Sequence, residues 1–415
     1  MIQFTKKIYL SVALVLIGLT VFCIYINLDK LILQGEKCLS NCPQAQVDKS
    51  LIHLPSLPPS LPPSLPPSPP KNVDLVETLT ESLVQMLKQK TDMSPSYVTA
   101  NCDNIWIACR PETCFRPLSQ NPKERIWDIL SPKLTLTEQN RQQIVELSST
   151  IPVSDVIFVT ATSDNHYDET QYSVHNLHAV VYPKVKNMTF VIFDIGLTPE
   201  QREKTIKACM CHVIVFPFEK FPSFFKERGC YTWKPLIVMA AMMKANKFVI
   251  YQDASITWKD SVLELLDRGD KLGIQLWGSN WMHNIPVATL KGMFDYMGDL
   301  PCAYLNYTQI QSGIIVLKQT PFIVRAVLEP WAKCGFEKDC FCPLTKENSV
   351  DCFTPKKEIH MCHRFDQSAL SIITTKLFAT ERYRYHMKES ENGRYVVINR
   401  SQREPNYFNQ LLKTL

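Results

Sequence analysis

The sequence has no long run of lysine or arginine, and its formal net charge is only +5 over 415 residues. Proteins that bind nucleic acid usually concentrate basic residues in one stretch or on one face. We therefore expect no nucleic-acid partner. Apolar residues make up 45% and charged residues 20% of the chain, which indicates a globular protein with a core well above the marginal size.

Charged residues are absent from positions 8–28, where most residues are apolar. A helix needs about 20 such residues to cross a bilayer. The stretch also lacks the Ala-x-Ala pattern that usually ends the shorter apolar core of a cleaved signal peptide. We therefore expect a transmembrane signal-anchor helix over 8–28, preceded by a cytoplasmic tail over 1–7.

Lysines flank this segment on both sides, so the charge difference that usually sets membrane orientation is absent. Glycosylation acceptors and cysteines decide the orientation instead. Asn-x-Ser/Thr acceptors lie beyond the anchor at Asn187, Asn306 and Asn399, and a total of 15 cysteines suits an oxidising compartment. We expect a single-pass type II protein of the Golgi or endoplasmic-reticulum membrane, with its C-terminal domain in the lumen.

Residues 29–100 have the composition of a stem. Repeated Leu-Pro-Pro-Ser units over 54–70 predict an extended polyproline spacer. The spacing of leucines over 73–90 predicts one apolar face of an amphipathic helix. These leucines are Leu75, Leu79, Leu83 and Leu87. The apolar face either mediates self-association through the stem or docks on the main domain.

A cysteine-rich lead-in is expected over 101–150. Cys102, Cys109 and Cys114 crowd into its first part, which indicates disulfides, and a helix is predicted over 137–147. The main domain is expected over 151–415.

From Asp155 onward, apolar stretches alternate with helical ones. The predicted strands cover 155–161, 188–196, 212–218 and 247–254. A helix is predicted over 233–245, and Thr198 followed by Pro199 predicts the start of another. Strands that are apolar throughout and separated by helices are typical of a mixed, mostly parallel sheet flanked by helices. We expect an α/β, Rossmann-like fold in which ligands bind beyond the carboxyl ends of the strands.

The stretch VIYQDASITWKD, residues 249–260, places Asp253, Ala254 and Ser255 at the end of the fourth predicted strand. An acidic triplet at the end of such a strand suits the binding of a nucleoside diphosphate. When this group leaves in a reaction it carries negative charge, which a divalent cation held by carboxylate oxygens stabilises. Asp253 is therefore a candidate metal ligand. The alternative is structural, because the same triplet also suits the N-cap region of a helix that begins near Trp258.

Four ordered segments carry a resemblance to the GT-A glycosyltransferases, which use nucleotide-sugar donors. They are VTATSDNHYDE, CYTWKPLIVMAAMMKANKFVIYQDASI, QSGIIVLKQTPF and HRFDQSAL, within residues 155–386. The chain most resembles the animal type II membrane proteins that carry a nucleotide-diphospho-sugar transferase domain. The order of the segments is also similar to that in the glycogenin-like retaining transferases.

The resemblance implies a donor site built from all four segments. Thr160, Ser163 and Asp164 would line the nucleoside pocket. Lys234 would face the diphosphate or the donor sugar. Asp253 would bind a divalent cation, Mn²⁺ or Mg²⁺, and orient the ribose or the sugar.

The later two segments would complete the site around the donor sugar. Gln311, Ser312 and Gly313 would lie under this sugar, with glycine allowing a close approach of the backbone. Asp366 and Gln367 would point at the reacting centre. There, a carboxylate suits either a base for the acceptor hydroxyl or a stabiliser of positive charge on the sugar.

Ser255 departs from the pattern of metal-dependent GT-A enzymes, which usually have a second acid at this position. A hydroxyl is a weaker metal ligand than a carboxylate, so a cation would need help from another group such as His386 or His363. The departure keeps open a second hypothesis, in which a catalytically inactive transferase-like protein binds a sugar or a partner.

Simpler alternatives exist for three of the implied positions. Lys234 suits a solvated position in the first turn of its helix. Asp366 suits a helix N-terminus, where the dipole favours negative charge. His386 suits a core or surface position as well as a ligand position.

A late cysteine cluster suggests a third interpretation. It comprises Cys334, Cys340, Cys342, Cys352, Cys362 and His363. Zinc bound there would suit a secretory metallohydrolase, but the spacing contains no pair of Cys-x2-Cys knuckles. We expect disulfides that close a loop between Trp331 and Arg364.

The function expected from these observations is glycosyl transfer. The donor would be a nucleotide-diphosphate sugar, with UDP-sugars as first candidates. The acceptor would be a glycan, a protein or a lipid.

Overall fold

A seven-stranded mixed sheet organises the fold of the computed structural model. Its strands are β1 (Ser154–Thr162), β2 (Met188–Asp194), β3 (His212–Val215), β4 (Ala245–Gln252), β6 (Ile274–Gly278), β7 (Ile310–Lys318) and β8 (His386–Met387), in the order β3-β2-β1-β4-β7-β6-β8. Strands β1 to β4 are parallel, β7 is antiparallel to both β4 and β6, and β8 is parallel to β6. The expectation of a mixed, mostly parallel sheet is confirmed.

The structure describes residues 73–89, 118–278, 284–343, 352, 358–387, 393–400 and 403–414. All of them belong to one compact unit, Ser68–Leu415. The predicted tail, signal-anchor helix, Pro-rich spacer and the cysteines at 102, 109 and 114 lie outside the described residues. Within the described ranges, no helix combines the length and the apolar character needed to span a membrane.

Helices cover both faces of the sheet. They are α1 (Val73–Lys88), α2 (Pro122–Ile129), α3 (Glu138–Ser148), α4 (Tyr167–Asn176), α5 (Pro199–Ala208), α6 (Trp233–Met242), α7 (Val262–Leu272), α8 (Lys291–Met297), α9 (Glu329–Gly335), α10 (Lys338–Phe341), α11 (Phe365–Phe378) and α12 (Tyr407–Thr414). The predicted start of α5 is confirmed, because the Thr198 side chain caps this helix and Pro199 is its first residue.

Side chains of β1 alternate between two apolar cores, one on each face of the sheet. Ile157 and Val159 point into the larger core, which also contains residues of α6, α9 and α11. Phe158 points into the other core, where its ring makes an edge contact with Trp258 at 5.4 Å between centroids. Burial on both faces explains why the strands are apolar throughout.

The chain does not begin a helix after Asp253. Ile256 N donates to Asp253 O at 3.1 Å in a turn, and the chain then enters β5 (Ile256–Trp258). This strand pairs with β9 (Val396–Ile398) in a second, two-stranded antiparallel sheet. The next helix, α7, begins only at Val262, so the N-cap alternative for Asp253 is wrong.

Disulfides join cysteines of the late cluster, as expected. The described pairs are Cys209–Cys211, Cys230–Cys342, Cys334–Cys340 and Cys352–Cys362. Because these sulfurs are bonded to one another, they are not available as zinc thiolates. The Cys230–Cys342 bridge also ties the segment before α6 to the end of α10.

Helix α1 docks on the main domain. Val76, Leu79 and Leu83 are fully buried and belong to the larger core. The backbone of the helix is held as well, since Arg384 Nη1 donates to Leu87 O at 2.8 Å. Of the two alternatives for the apolar face of this helix, the structure shows docking on the main domain. The folded unit therefore includes part of the predicted stem.

We predict that Leu83→Ala lowers the free energy of unfolding by about 2–5 kcal/mol, because it opens a cavity in the larger core. Glu81→Ala, on the exposed face of α1, is the control and should stay within about 0.5 kcal/mol of the parent protein. Urea unfolding measures both. Unchanged stability of Leu83→Ala together with altered oligomeric state in sedimentation would show that the stripe mediates self-association instead.

Candidate active site

A buried lysine between two carboxylates forms the centre of the candidate site. Lys234 Nζ lies 3.3 Å from Asp253 Oδ1 and 2.8 Å from Asp366 Oδ2. The side chains of Lys234 and Asp366 are 4% and 6% exposed, whereas that of Asp253 is 40% exposed. The site therefore has a buried floor and one carboxylate open to solvent. We call these three residues the Lys-Asp-Asp cluster.

Local structure explains why these side chains meet. Asp253 directly follows β4, and the two-residue period of a strand puts it on the same sheet face as Tyr251. Lys234 is the second residue of α6 and Asp366 is the second residue of α11, and both helices pack on that face. The start of α11 also favours the Asp366 carboxylate, because helix N-termini carry partial positive charge.

Lys234 is charged in the folded protein. Burial alone would lower its pKa, but the carboxylates of Asp253 and Asp366 outweigh this effect and raise the pKa above that of an ordinary lysine. The ammonium also lies 4.7 Å from the centroid of the Tyr251 ring. One ammonium and two carboxylates give the ionised cluster one net negative charge. The alternative of a solvated Lys234 is wrong.

Each carboxylate has one oxygen left for a ligand. Asp253 Oδ1 accepts from the Tyr251 hydroxyl at 2.7 Å, and Asp366 Oδ2 accepts from the Ser312 hydroxyl, in addition to their contacts with Lys234. Within the part of the chain that the structure describes, Asp253 Oδ2 and Asp366 Oδ1 have no hydrogen-bond partner. The carboxylate that a substrate or a cation can reach from solvent is that of Asp253, since the Asp366 side chain is buried.

Strand β7 supports the cluster from the sheet side. Ser312 is buried and bonds to Asp366 as described above. Gly313 O accepts from Asp253 N at 2.8 Å, and a Cβ atom at position 313 would lie 3.0 Å from Asp253 Oδ2. Glycine therefore allows the close approach of the two strands beside the open carboxylate.

Two amide side chains were predicted in the site, Gln311 under the donor sugar and Gln367 at the reacting centre. Gln311 is half-buried and pairs with Trp277 of β6. Gln367 is buried, and its Nε2 donates to Gln309 Oε1 at 2.9 Å. The Gln367 amide thus has an interior partner, which suits a role in positioning α11 better than one at the reacting atoms.

The carboxyl end of β1 lies beside that of β4, because these strands are adjacent and parallel. Ser163 and Asp164, the residues predicted to line a nucleoside pocket, follow β1 there. Thr160 lies deeper in the sheet and is buried, and its hydroxyl has no hydrogen-bond partner among the described residues. Arg228, which sequence analysis missed, completes this end, since its Nη1 lies 3.9 Å from Asp164 Oδ1 and donates to Ile195 O at 3.3 Å.

Ser255 lies where the small sheet begins. Its carbonyl accepts from Asn399 N at 2.8 Å, so the C-terminal strand β9 runs beside the triplet that begins at Asp253.

Of the predicted glycosylation acceptors, Asn187 and Asn306 are exposed, whereas Asn399 is half-buried at the end of β9. The first two are thus more accessible to modification.

The candidate histidines lie outside the cluster. His363 is buried, with Nδ1 accepting from Leu290 N and Nε2 donating to Phe341 O, both at 3.2 Å. His386 lies in β8, three strands from β4 and so roughly 14 Å away at about 4.8 Å per strand. The structure therefore does not bring His386 to Asp253 as a shared metal ligand.

A divalent cation fits this site only together with a substrate. In the described ranges, no group of three or more His, Cys, Asp or Glu side chains gathers around one point. Mg²⁺ commonly binds one or two carboxylates and takes its remaining ligands from water and substrate phosphates. Asp253 Oδ2 is a suitable half-exposed carboxylate oxygen for this arrangement.

Tyr231 and Tyr251 are further site residues that sequence analysis missed. Tyr231 has a left-handed backbone with φ of 56°, and its ring centroid lies 5.3 Å from Lys234 Nζ. For Tyr251, the period-two pattern of β4 contained the necessary signal, because it puts residues 251 and 253 on one face. No local pattern indicated Tyr231 or Arg228, which reach the site from the short 3-10 turn Arg228–Cys230 and the residue that follows it.

Comparisons with known proteins give the following matches. Residues 126–240 match a family described as proteins of unknown function, DUF1647. No curated protein matches the chain. Among solved structures, the chain is similar to the bifunctional glycosyltransferase WbbM, with 13% identity and a TM-score of 0.32, over 56% of this chain and 38% of WbbM. The chain thus spans well under half of WbbM.

Two further similar structures are also named as glycosyltransferases. The galactosyltransferase LgtC, determined with donor and acceptor sugar analogues, has 13% identity and a TM-score of 0.32, over 62% of this chain and 96% of LgtC. The mannosyltransferase Ktr4p from S. cerevisiae has 10% identity and a TM-score of 0.33, over 71% of this chain and 80% of Ktr4p.

We predict that Lys234→Met lowers the free energy of unfolding by about 3–5 kcal/mol, because it leaves the buried Asp366 carboxylate without its cation. Lys247→Met is the matched control, since Lys247 makes an exposed ion pair with Asp155, and should cost less than about 1 kcal/mol. Denaturant unfolding compares the two. Equal losses would contradict a structural role for the buried ammonium.

Burial lowers the pKa of His363 to about 4, against about 6.5 in an unfolded chain. Between these values the unfolded state binds more protons, so stability falls as the pH is lowered from about 6.5 to 4. We predict that His363→Gln reduces this loss by about 3 kcal/mol, as measured by urea unfolding at several pH values. His212→Gln changes an exposed histidine, so its stability should depend on pH as that of the parent protein does. The same pH dependence of stability in all three proteins would disprove the assignment.

Proposed function

We propose that the protein is a glycosyltransferase that uses a nucleotide-diphospho-sugar donor, with UDP-sugars as first candidates. The observation that carries this proposal is the Lys-Asp-Asp cluster at the carboxyl ends of β1 and β4. Open α/β sheets bind ligands at this edge. The cluster combines a fixed buried charge arrangement with two free carboxylate oxygens, which suits a substrate that develops positive charge during reaction.

The two strand ends suggest how the donor lies. The nucleoside would occupy the end of β1, near Ser163 and Asp164. The diphosphate would lie toward Asp253, where Oδ2 would hold Mn²⁺ or Mg²⁺ together with phosphate oxygens. When bound, this cation would stabilise the negative charge of the leaving nucleoside diphosphate.

Asp366 suits the stabilisation of the reacting sugar. Transfer breaks the bond between the anomeric carbon and the phosphate oxygen and forms a bond from that carbon to the acceptor oxygen, whose proton passes to the departing phosphate or to water. The anomeric carbon becomes positively charged in the transition state. A carboxylate that already accepts bonds from Lys234 and Ser312 has its negative charge stabilised. It is therefore better suited to electrostatic stabilisation than to taking a proton from the acceptor.

For location we propose the lumen of the Golgi or endoplasmic reticulum, with the predicted type II anchor holding the protein to the membrane. The described disulfides support an oxidising compartment. The exposure of Asn187 and Asn306 suits glycosylation there. The acceptor would be a glycan, a protein or a lipid of the same compartment.

A second candidate is a transferase-like protein that binds a nucleotide sugar, a glycan or a partner without transfer. Ser255 favours this alternative, because it replaces the second acid expected of a metal-dependent site. Binding of a nucleotide without turnover of any donor would identify it.

The test is release of UDP from a panel of UDP-sugars by the full chain with Mn²⁺, in the presence and absence of candidate acceptors. We predict that Asp366→Asn slows UDP release by about 10²–10³-fold while UDP binding stays within a few-fold of the parent. Asp295→Asn, which changes an exposed surface carboxylate paired with Lys291, is the matched control and should keep full activity. Undiminished turnover by Asp366→Asn would contradict the assigned role.

A further inference from the structure

Arg400 follows the strand β9 that runs beside the segment carrying Asp253, although the two segments are far apart in sequence. In the small sheet, Ile256 pairs with Ile398, and Asn399 N donates to Ser255 O at 2.8 Å. Arg400 directly follows Asn399, so the C-terminal segment brings it next to the turn Asp253–Ser255.

The Arg400 cation also acts on Tyr231, the tyrosine whose ring centroid lies 5.3 Å from Lys234 Nζ. Burial and the carboxylates of Asp366 and Asp253 raise the pKa of Tyr231, whereas the cations of Lys234 and Arg400 oppose this effect. One tyrosine hydroxyl thus interacts with the whole cluster and with the Arg400 guanidinium.

The guanidinium of Arg400 is exposed and, among the described residues, has no hydrogen bond or ion pair. Two other arginines, one at the β1 end of the site and one before β9, are engaged. Arg228 lies 3.9 Å from Asp164, and Arg394, which precedes β9, makes an ion pair with Glu264. Arg400 is thus a free cation close to a cluster that has one net negative charge.

A phosphate-bearing ligand at this site needs a cation in addition to the cluster. The two adjacent phosphates of a donor are repelled by the Asp253 carboxylate unless a cation also contacts the phosphates. Lys234 is buried and shared between two carboxylates, so it is not free to serve. A planar guanidinium binds phosphate oxygens through two parallel hydrogen bonds. We infer that Arg400, on the C-terminal strand segment, binds the diphosphate of the donor; this inference rests on the proposed function.

The inference gives the C-terminal segment a role in recognising the donor. Strand β9 is joined to the site by its pairing with β5, directly after the triplet that contains Asp253. The affinity for a nucleoside diphosphate should therefore depend on Arg400, whereas the affinity for the nucleoside alone should not.

The test is calorimetric titration of the full chain with UDP and with uridine, each with Mn²⁺ and with a chelator. For Arg400→Ala we expect about 10- to 100-fold weaker binding of UDP and unchanged binding of uridine. Arg400→Lys retains the charge but loses the geometry for two parallel hydrogen bonds. Its affinity for UDP should lie between those of the parent protein and Arg400→Ala. Arg403→Ala removes the same charge from an exposed position three residues further on and should bind UDP like the parent.

The outcomes separate this inference from the proposed function. Equal UDP affinity in the parent and Arg400→Ala, with both proteins folded by circular dichroism, overturns the inference and leaves the proposed function standing. An equal loss of UDP affinity in Arg403→Ala and Arg400→Ala also overturns the inference, because the loss would then come from the lower net charge of the protein and not from a specific contact. No binding of UDP by the parent protein overturns both.

Discussion

The candidate site depends on one interaction, the sharing of the Lys234 ammonium between the carboxylates of Asp253 and Asp366. A buried carboxylate is costly without a partner, and so is a buried ammonium. Placing the cation between two anions satisfies all three groups and joins three separate elements, the start of α6, the end of β4 and the start of α11. The same arrangement leaves one net negative charge and one carboxylate, Asp253, open to solvent, and these properties define which ligands the site can accept.

The sheet topology determines what surrounds this interaction. The parallel strands β1 and β4 bring Ser163, Asp164 and Asp253 to one edge. The antiparallel strand β7 then places Ser312 and Gly313 against the two carboxylates. The polar ends of the strands and the floor of the site therefore follow from a single packing arrangement, in which α6 and α11 cover one face of the sheet.

The sequence predicted the sheet well, because strands buried on both faces are apolar throughout and their polar ends are conspicuous. It also indicated Lys234, Asp253 and Asp366, although not that a single ammonium joins them. Chain segments whose position depends on long-range pairing were missed. The second sheet is the clearest case, because nothing around Ser255 indicates that β5 pairs with a strand near the C-terminus. The left-handed backbone of Tyr231 and the loop that carries Arg228 are likewise products of tertiary structure.

The central claim is that the Lys-Asp-Asp cluster lies at the diphosphate of a nucleotide donor. Calorimetric titration of the parent protein and Asp253→Ala with UDP, GDP and CMP, with and without Mn²⁺, tests it most directly. The account predicts saturable binding of a nucleoside diphosphate, with UDP tried first, that strengthens with Mn²⁺ and is lost in Asp253→Ala. Absence of binding of every nucleotide by the folded parent protein, or equal binding by the parent and Asp253→Ala, would contradict it.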